Sequence, residues 1–385
     1  MNLLITGAWR CTEEQLDAIK ALGHQIVFMQ NESDALPVDP QWVEGMVCNG
    51  LFLHHEIGLF SNLRFIQLTS AGYDRVPMEE VNRRGIRICN ARGVYGIPMA
   101  EFAVSGVLRL YKNSRAMDAH QQQHAWIKER QLLELWGKQV TIVGCGNIGQ
   151  ECAKRFAAFD SKVIGVDIFE AELPHIEKMC HISRLKEVLP QSDVVVLTLP
   201  LTEQTKNLFC EETFAVMKPG AVLLNFSRNE LVDNEAVKAA LASGQLKAYV
   251  VDFPSDDLLG VEKVIAIPHL GASTEESEEN CASMAAAQLR DYLEVGSIHN
   301  SVNLPEVALG APEGARILVI HENVPNTIAP ITACISAEGV NINNLTNKSK
   351  KDMAVTVVDV PELPSDQAIA NIKRLPGVFR VRTFG

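Results

Sequence analysis

The chain has 385 residues, of which 47% are hydrophobic and 21% are charged, and its formal net charge at pH 7 is −12. This length exceeds what one hydrophobic core fills and predicts two or three domains. An acidic surface repels polyanions and anionic lipid headgroups, so neither nucleic acid nor a membrane is expected as a partner.

The start of the chain, MNLLITGAW, does not look like a signal peptide, because no basic residue precedes the apolar run. No apolar stretch approaches the length of a membrane span. The nine cysteines are scattered without a CxxC pair, which is typical of reduced, buried thiols. We therefore expect a cytoplasmic protein. The cluster His54–His55–Glu56 lacks the partner at i+4 of a zinc-binding helix, and no metal site is predicted.

Residues 1–96 alternate short apolar strands with amphipathic helices. Strands are predicted at LLIT, QIVFM, RFIQL and IRICN, and helices at EEQLDAIKAL and MEEVNRRG. This alternation predicts a parallel sheet covered by helices. One long helix is then expected from Ile97 to His120, with Pro98 in its first turn.

A second alternating series runs from Val140 to Ile267. Its predicted strands are VTIVG, KVIGVD, DVVVLTL, AVLLNF, AYVVDF and VIAI. These runs lack period-two alternation, which indicates parallel strands buried on both faces. A helix is expected after His269, over EESEENCASMAAAQLRDYLEVG.

The C-terminal part contains a predicted linker and a compact tail. Residues 301–314, SVNLPEVALGAPEG, are rich in Pro and Gly and are interpreted as the linker. Beyond them, residues 315–385 predict the order βαββαβ, which is the ferredoxin-like arrangement. The expected fold class is therefore α/β, with two doubly wound parallel-sheet domains and a ferredoxin-like tail.

The segment VTIVGCGNIG carries a dinucleotide-binding signature. Gly144, Gly146 and Gly149 fit G-x-G-x-x-G between a strand and a helix that opens with Asn147 and Ile148. Such glycines allow a tight turn and close approach of the backbone to a pyrophosphate, which the helix N-terminus attracts.

Cofactor choice depends on the end of the next strand, KVIGVD. Asp167 there would bind the adenosine ribose and repel a 2′-phosphate, and the following IFEAE offers no basic side chain. The predicted cofactor is therefore NAD rather than NADP.

Three later segments place polar side chains just after strands of the same sheet, at the edge where open α/β sheets bind ligands. Arg228 follows AVLLNF, Asp252 ends AYVVD with Asp256 and Asp257 beyond it, and His269 follows Pro268. A planar guanidinium suits a carboxylate, and an imidazole changes charge near neutral pH. An arginine and a histidine at these strand ends favour acid–base chemistry on a carboxylic acid.

The joint spacing of the glycine loop, Asp167, Arg228 and PHLGAST resembles the D-2-hydroxyacid dehydrogenase family over residues 1 to about 300. The resemblance implies a substrate domain of residues 1–96 completed by 275–300, and a Rossmann NAD domain of residues 97–274. It implies that Arg228 pairs with the substrate carboxylate and that His269 exchanges the proton on the C2 oxygen. The family orients this histidine with a glutamate, and the matching residue here is the shorter Asp257.

The resemblance also implies further contacts to a small 2-hydroxy acid and to NAD. In LTSAGYDRVP, Ser70, Ala71 and Gly72 match the loop that binds the substrate carboxylate. Additional cofactor contacts are expected from residues next to the strand ends: Leu199, Phe226, Ser227, Arg228, Asp252, His269, Gly271 and Ala272. Ser70 stands where relatives acting on a phosphorylated acid carry an arginine. The alternatives, which spacing cannot separate, are Arg10, Arg75, Arg92 and the pair His54–His55.

The tail resembles an ACT domain, most closely that of bacterial D-3-phosphoglycerate dehydrogenases. The matching residues are His321 and Asn323 in HENVP and Asn341 in EGVNI. They imply L-serine as an effector held between paired tails, with a homodimer through the NAD domains and a tetramer through the tails. The alternative is a tail that only dimerises.

The reaction that this resemblance implies is the NAD-dependent oxidation of 3-phosphoglycerate, the first step of serine synthesis. A reductase of another small 2-oxo acid is the alternative enzyme. A catalytically silent sensor of NAD and an amino acid is the third possibility, and the presence of both Arg228 and His269 argues against it.

Overall fold

A computed structural model describes residues 1–385. The strands are β1 (Asn2–Thr6), β2 (Gln25–Met29), β3 (Gly45–Cys48), β4 (Phe65–Leu68), β5 (Arg87–Cys89), β6 (Gln139–Val143), β7 (Lys162–Asp167), β8 (Lys178–His181), β9 (Val194–Leu197), β10 (Ala221–Asn225), β11 (Leu246–Val251), β12 (Val264–Ala266), β13 (Ala315–Glu322), β14 (Asn344–Lys350), β15 (Met353–Val360) and β16 (Val378–Phe384). The helices are α1 (Glu13–Ala21), α2 (Met78–Arg83), α3 (Gly96–Tyr111), α4 (Ser114–Gln122), α5 (Asn147–Ala157), α6 (Leu185–Val188), α7 (Glu211–Val216), α8 (Asn234–Ser243), α9 (Glu275–Glu294), α10 (Ile328–Ser336) and α11 (Asp366–Lys373). None of the helices is both long enough and apolar enough to cross a membrane.

The chain divides into two compact units, and each is described separately. The first unit joins Met1–Arg92 to Glu278–Gly385, and the second is Gly93–Ser277.

The second unit is built on a seven-stranded parallel sheet in the order β12-β11-β10-β9-β6-β7-β8. Apolar clusters cover both faces, which explains why these strands lack an alternating pattern. The strand order reverses between β6 and β9, and ligands of such sheets bind at this point. The predicted doubly wound fold is confirmed here. Edge strand β8, KMCH, was not predicted, because it is short and only Cys180 in it is fully buried.

The single helix expected over residues 97–120 is instead two helices. Helix α3 ends at Tyr111, and α4 begins at Ser114. Between them Asn113 adopts a left-handed conformation, with φ of 49°, and its side-chain amide donates to Glu129 at 2.9 Å. Asparagine tolerates this conformation better than most residues, so the break is local and chemically specific.

The first unit contains a five-stranded parallel sheet in the order β2-β1-β3-β4-β5. The C-terminal part of α9 packs on one face, where the Trp9 indole N–H donates to the carbonyl of Ala282 at 3.1 Å. The other face is covered by a cluster that includes Phe60 and Val81. A second doubly wound sheet is therefore confirmed.

The tail forms a four-stranded antiparallel sheet in the order β14-β15-β13-β16, with α10 and α11 on one face. This order and the βαββαβ sequence of elements match the ferredoxin-like prediction. The opposite face of the sheet packs on Ile298, Leu304 and Val307. Residues 301–314 lack helices and strands, but their N-terminal half is part of this core.

Candidate active site

The glycine loop between β6 and α5 has the backbone that a dinucleotide requires. Gly144 has φ of 98°, and a Cβ on it would lie 2.7 Å from the Thr198 carbonyl. A Cβ on Gly149 would lie 2.1 Å from the carbonyl oxygen of Gly144, so this glycine permits the close contact of helix and strand. No atom lies within 4 Å of the Cβ position of Gly146, and no side chain caps α5. The first N–H groups of α5, from Asn147 and Ile148 onward, can therefore meet a pyrophosphate.

Asp167 ends β7 beside this loop. Its carboxylate accepts hydrogen bonds of 2.6 Å from the backbone N–H groups of Cys145 and Ile168, one on each oxygen. Each oxygen retains a lone pair for a ribose hydroxyl. The residue thus holds the loop and presents a negative charge at the place that the sequence analysis predicted.

Arg228 lies in the turn after β10, and Asn225 fixes that turn. The Asn225 amide donates to the Arg228 carbonyl at 2.9 Å and to the Tyr249 hydroxyl at 3.1 Å, while its oxygen accepts the Ser227 N–H. The guanidinium of Arg228 lies 4.9 Å from the centre of the Phe253 ring and donates to the Ser227 carbonyl at 3.1 Å. It is half-buried in the second unit.

His269 is held against the same aromatic ring. Its imidazole centre lies 3.7 Å from that of Phe253, and its Nδ1 lies 3.2 Å from an Asp252 carboxylate oxygen. The backbone of His269 is left-handed, with φ of 52°, and its N–H donates to the carbonyls of Asp252 and Ile267. A non-glycine residue in this region is strained, and such strain clusters at functional sites.

Asp252 is suited to orient the imidazole. It is 1% exposed, and its second oxygen accepts the Gly271 N–H at 3.1 Å. Because a carboxylate only accepts hydrogen bonds, the proton of a neutral His269 must lie on Nδ1. The Nε2 atom then carries a lone pair, and the imidazole side chain is 52% exposed. This is the geometry of a base that can accept a substrate proton.

The predicted orienting role of Asp257 is wrong in this structure. The Asp257 carboxylate binds the Lys238 ammonium at 2.6 Å and accepts from the Ser255 hydroxyl at 2.5 Å. These hydrogen bonds, with that of Lys238 the larger, lower the pKa of the Asp257 carboxyl. The basic partner on α8 draws the short side chain away, and Asp252 takes the position beside His269.

The remaining predicted cofactor contacts also lie in the second unit. Phe226 and Ser227 are buried directly after β10, and the Ser227 hydroxyl donates to the Leu197 carbonyl at 3.2 Å. A Cβ on Gly271 would lie 2.8 Å from Met99 Sδ, and the neighbouring Ala272 packs on the same core. The backbone nitrogen of Leu199 lies against the glycine loop. Their contacts with a cofactor are still a prediction.

The predicted substrate loop belongs to the first unit. The Ser70 hydroxyl donates to the Gly72 carbonyl at 2.8 Å, and the Asn90 amide donates to the Ala71 carbonyl at 2.6 Å. These bonds define the loop conformation. Its role in binding a carboxylate is still a prediction.

The predicted effector residues of the tail differ in exposure. His321 is 2% exposed, and its two ring nitrogens lie 2.7 Å from the Glu322 carbonyl and 2.8 Å from the Thr356 hydroxyl. Both ring nitrogens of His321 thus have partners within the tail, and its contact with an effector is still a prediction. Asn323 and Asn341 are exposed, and the Asn323 amide donates to the Lys351 carbonyl.

Three residues of this region were missed by sequence reasoning. The Thr198 hydroxyl donates to the Gly144 carbonyl at 2.5 Å, Asn225 fixes the arginine turn, and Phe253 lies against both Arg228 and His269. Each lies within two residues of the end of a parallel strand. A position near the end of a parallel strand is the sequence feature that could have identified all three residues.

The chain belongs to the D-2-hydroxyacid dehydrogenase family and is an NAD-dependent enzyme. The model of the D-isomer specific 2-hydroxyacid dehydrogenase NAD-binding domain matches residues 104–271. The D-3-phosphoglycerate dehydrogenase of Escherichia coli K12 is 31% identical over 325 residues, which are 81% of this chain and 79% of that protein. The Haemophilus influenzae enzyme of the same name is 30% identical and covers 81% of this chain and 78% of its own length.

A solved structure agrees with this family. A D-isomer specific 2-hydroxyacid dehydrogenase family protein from Aeromonas salmonicida superposes with a TM-score of 0.69 at 25% identity. The match covers 78% of this chain and 98% of that protein.

Proposed function

We propose that this enzyme oxidises D-3-phosphoglycerate to 3-phosphohydroxypyruvate with NAD, as the first step of L-serine biosynthesis. The observation that carries the proposal is the pairing of His269 with Asp252 beside Arg228, at the strand ends of an NAD-binding domain. The relatives of about 30% identity over four-fifths of the chain are named for this activity. The Asp167 carboxylate favours NAD over NADP, since it would repel a 2′-phosphate.

Arg228, His269 and Asp252 would each have a different role in this reaction. Arg228 would pair with the substrate carboxylate and polarise the C2 oxygen. His269 Nε2 would accept the proton of the C2 hydroxyl, and Asp252 would stabilise the resulting imidazolium. Bound NAD supplies the acceptor for the hydride that leaves C2. Oxidation therefore requires neutral imidazole, and reduction requires imidazolium.

One observation favours a second candidate, a reductase of an unphosphorylated 2-oxo acid. Ser70 stands where an arginine would grip a phosphate, and its hydroxyl is used within the loop. Of the alternatives, Arg10 pairs with Glu278, while Arg75 donates to the Asn49 side chain at 3.1 Å. Arg75 is thus the better placed to exchange a neutral partner for a phosphate.

A kcat/KM panel separates the two candidates. The assay follows NADH absorbance with D-3-phosphoglycerate, D-glycerate and D-lactate, and with 2-oxoglutarate in the direction of reduction. The proposal predicts the highest value for D-3-phosphoglycerate, with a large loss for D-glycerate, which lacks only the phosphate. Equal values for these two acids would refute the phosphorylated substrate.

We also propose that the enzyme is a homodimer through its NAD domain and that the tail binds L-serine through Asn323 and Asn341. Apolar side chains are concentrated on the surface after α4, where Trp126 is 96% and Trp136 71% exposed. Such patches are typical of protein interfaces. Light scattering of wild type and Trp126→Ser tests the dimer, and calorimetry with L-serine on wild type and Asn341→Ala tests the effector.

A further inference from the structure

A polar cavity of about 880 Å³ lies within the first unit, beside the tail. Residues that follow β5, Asn90 and Arg92, line one side of it. The hairpin that joins β14 to β15 lines the other with Lys350 and Lys351. Residues 300–304 also line it.

The tail is held firmly enough to define this cavity. The Arg382 guanidinium donates to the Tyr292 carbonyl at 2.7 Å, and that of Arg380 donates to the Arg84 carbonyl at 3.1 Å. Phe379 packs on Gly85, where a Cβ would lie 2.6 Å from the Phe379 Cβ. The cavity is therefore a formed pocket between packed elements.

Three basic side chains that line the cavity, Arg92, Lys350 and Lys351, lie near one another. Arg92 and Lys351 form no ion pair, and the Lys350 ammonium donates to the Ser301 carbonyl at 2.9 Å. Burial lowers the pKa of Lys350, and the charges of Arg92 and Lys351 lower it further, while Glu306 opposes them.

Three acids also line the cavity, but none of them forms an ion pair with Arg92, Lys350 or Lys351. The Glu306 carboxylate lies 3.6 Å from His299 Nδ1, so a histidine competes for it. Glu322 and Asp352 also line the cavity, but neither is among the charges that act on Lys350. The surroundings of Lys350 are thus cationic in a protein whose net charge is −12.

We propose that this cavity binds a small phosphate-bearing anion between Arg92, Lys350 and Lys351. A phosphate has several acceptor oxygens and at least one negative charge, so it would pair with these three cations and relieve their mutual repulsion. Inorganic phosphate and a small phosphomonoester share this chemistry. The site lies within the first unit and does not depend on the substrate proposed above.

Hydrogen bonds of Asn90 connect Arg92 to the loop of residues 70–72, so an anion bound to Arg92 would affect the conformation of this loop. The Asn90 side-chain oxygen accepts the Arg92 N–H at 3.3 Å, and its amide donates to the Ala71 carbonyl. The Asn300 amide holds the Arg92 carbonyl at 3.1 Å. An anion that moves Arg92 towards the cavity would therefore act on this loop through the Asn90 side chain.

Isothermal titration of the full-length protein, at constant ionic strength, tests the site. One arm uses inorganic phosphate and the other uses glycerol 3-phosphate, and the arm that binds more tightly identifies the source of the anion. Lys350→Gln should weaken binding at least about fivefold, and Lys350→Arg should restore it to within about twofold. Lys373→Gln, which removes the same charge from the exposed end of α11, should bind like wild type.

Several outcomes would overturn the site. Wild type that binds neither anion contradicts it, as does Lys350→Gln with wild-type affinity or an equal loss in Lys373→Gln. Binding that Arg228→Gln abolishes and Lys350→Gln leaves intact would place the anion in the active site instead. Circular dichroism of each variant confirms that it is folded.

Discussion

The orientation of one imidazole is the feature on which the proposed chemistry depends. Asp252 accepts from His269 in the structure, whereas the residue five positions later, Asp257, binds Lys238. Local sequence could place both acids after the same strand. The local sequence does not show that Lys238 on α8, about twenty residues earlier, binds Asp257, because the tertiary fold brings these two side chains together.

Exchanging the two acids separately tests this assignment. Asp252→Asn should lower kcat/KM at least about tenfold, because an amide can neither stabilise an imidazolium nor enforce the Nδ1–H tautomer. Asp257→Asn, the matched control, removes an exposed ion pair and should leave kcat/KM within about twofold of wild type. Steady-state NADH absorbance measures both. A larger loss in Asp257→Asn would restore the sequence-based assignment.

Among the elements, the loop between β6 and α5 was the most predictable. The glycines are dictated by contacts between residues close in the sequence or on adjacent strands, and their spacing is therefore visible in one segment. The break between α3 and α4 was not predictable from apolar periodicity, since the pattern continues across it and only the conformation of Asn113 interrupts it. Strand β8 was missed because edge strands need no continuous apolar run.

Two alanine substitutions separate packing from cofactor binding in this loop. Gly149→Ala places a Cβ 2.1 Å from a backbone oxygen and should lower the free energy of unfolding by about 1–3 kcal/mol. Gly146→Ala meets no atom and has a φ of −71°, so its stability should change by less than about 0.5 kcal/mol. Its affinity for NAD should nevertheless fall at least about tenfold, because the methyl group occupies the path of the pyrophosphate. Urea unfolding and NADH fluorescence titration measure the two effects, and an unchanged NAD affinity in Gly146→Ala would contradict the proposed path.

The end of β7 sets the expected choice between cofactors. Asp167→Ala removes the carboxylate, and kcat/KM should fall for NAD and rise for NADP. The backbone N–H of Cys145 donates to the Asp167 carboxylate and would lose this acceptor in Asp167→Ala. The melting temperature of the variant is therefore measured as well. Wild type that prefers NADP would contradict the role of this carboxylate.

At the scale of the whole molecule, the sequence predicts a substrate domain made of two separate segments, an NAD domain and a tail, but not how the tail is held. Composition marks residues 301–314 as irregular, yet Leu304 and Val307 are buried under the tail sheet. Guanidinium-to-carbonyl bonds such as that of Arg382 leave no sequence signature, because any exposed carbonyl can accept them. For the same reason the sequence does not predict the cavity beside the tail.

Docking of the tail can be tested at Gly85, which follows α2 with a positive φ and contacts Phe379. Gly85→Ala should loosen the tail and accelerate proteolytic cleavage within residues 301–314. Gly23→Ala is the matched control, because Gly23 follows α1 with a positive φ and its Cβ would meet no atom. Backbone strain is common to both variants, so only the clash distinguishes them. Equal cleavage rates would show that this contact does not hold the tail.

We infer that Arg228 and His269 carry out chemistry on a hydroxy acid with NAD, and steady-state kinetics of their variants tests these roles most directly. Arg228→Gln and His269→Ala should each lower kcat/KM by about a hundredfold or more, while the dissociation constant of NADH stays within about twofold of wild type. In wild type the rate of oxidation should rise with pH as the imidazolium loses its proton, and His269→Ala should lose this dependence. A His269→Ala enzyme with wild-type kcat/KM and an unchanged pH profile would contradict the role of His269 as the base.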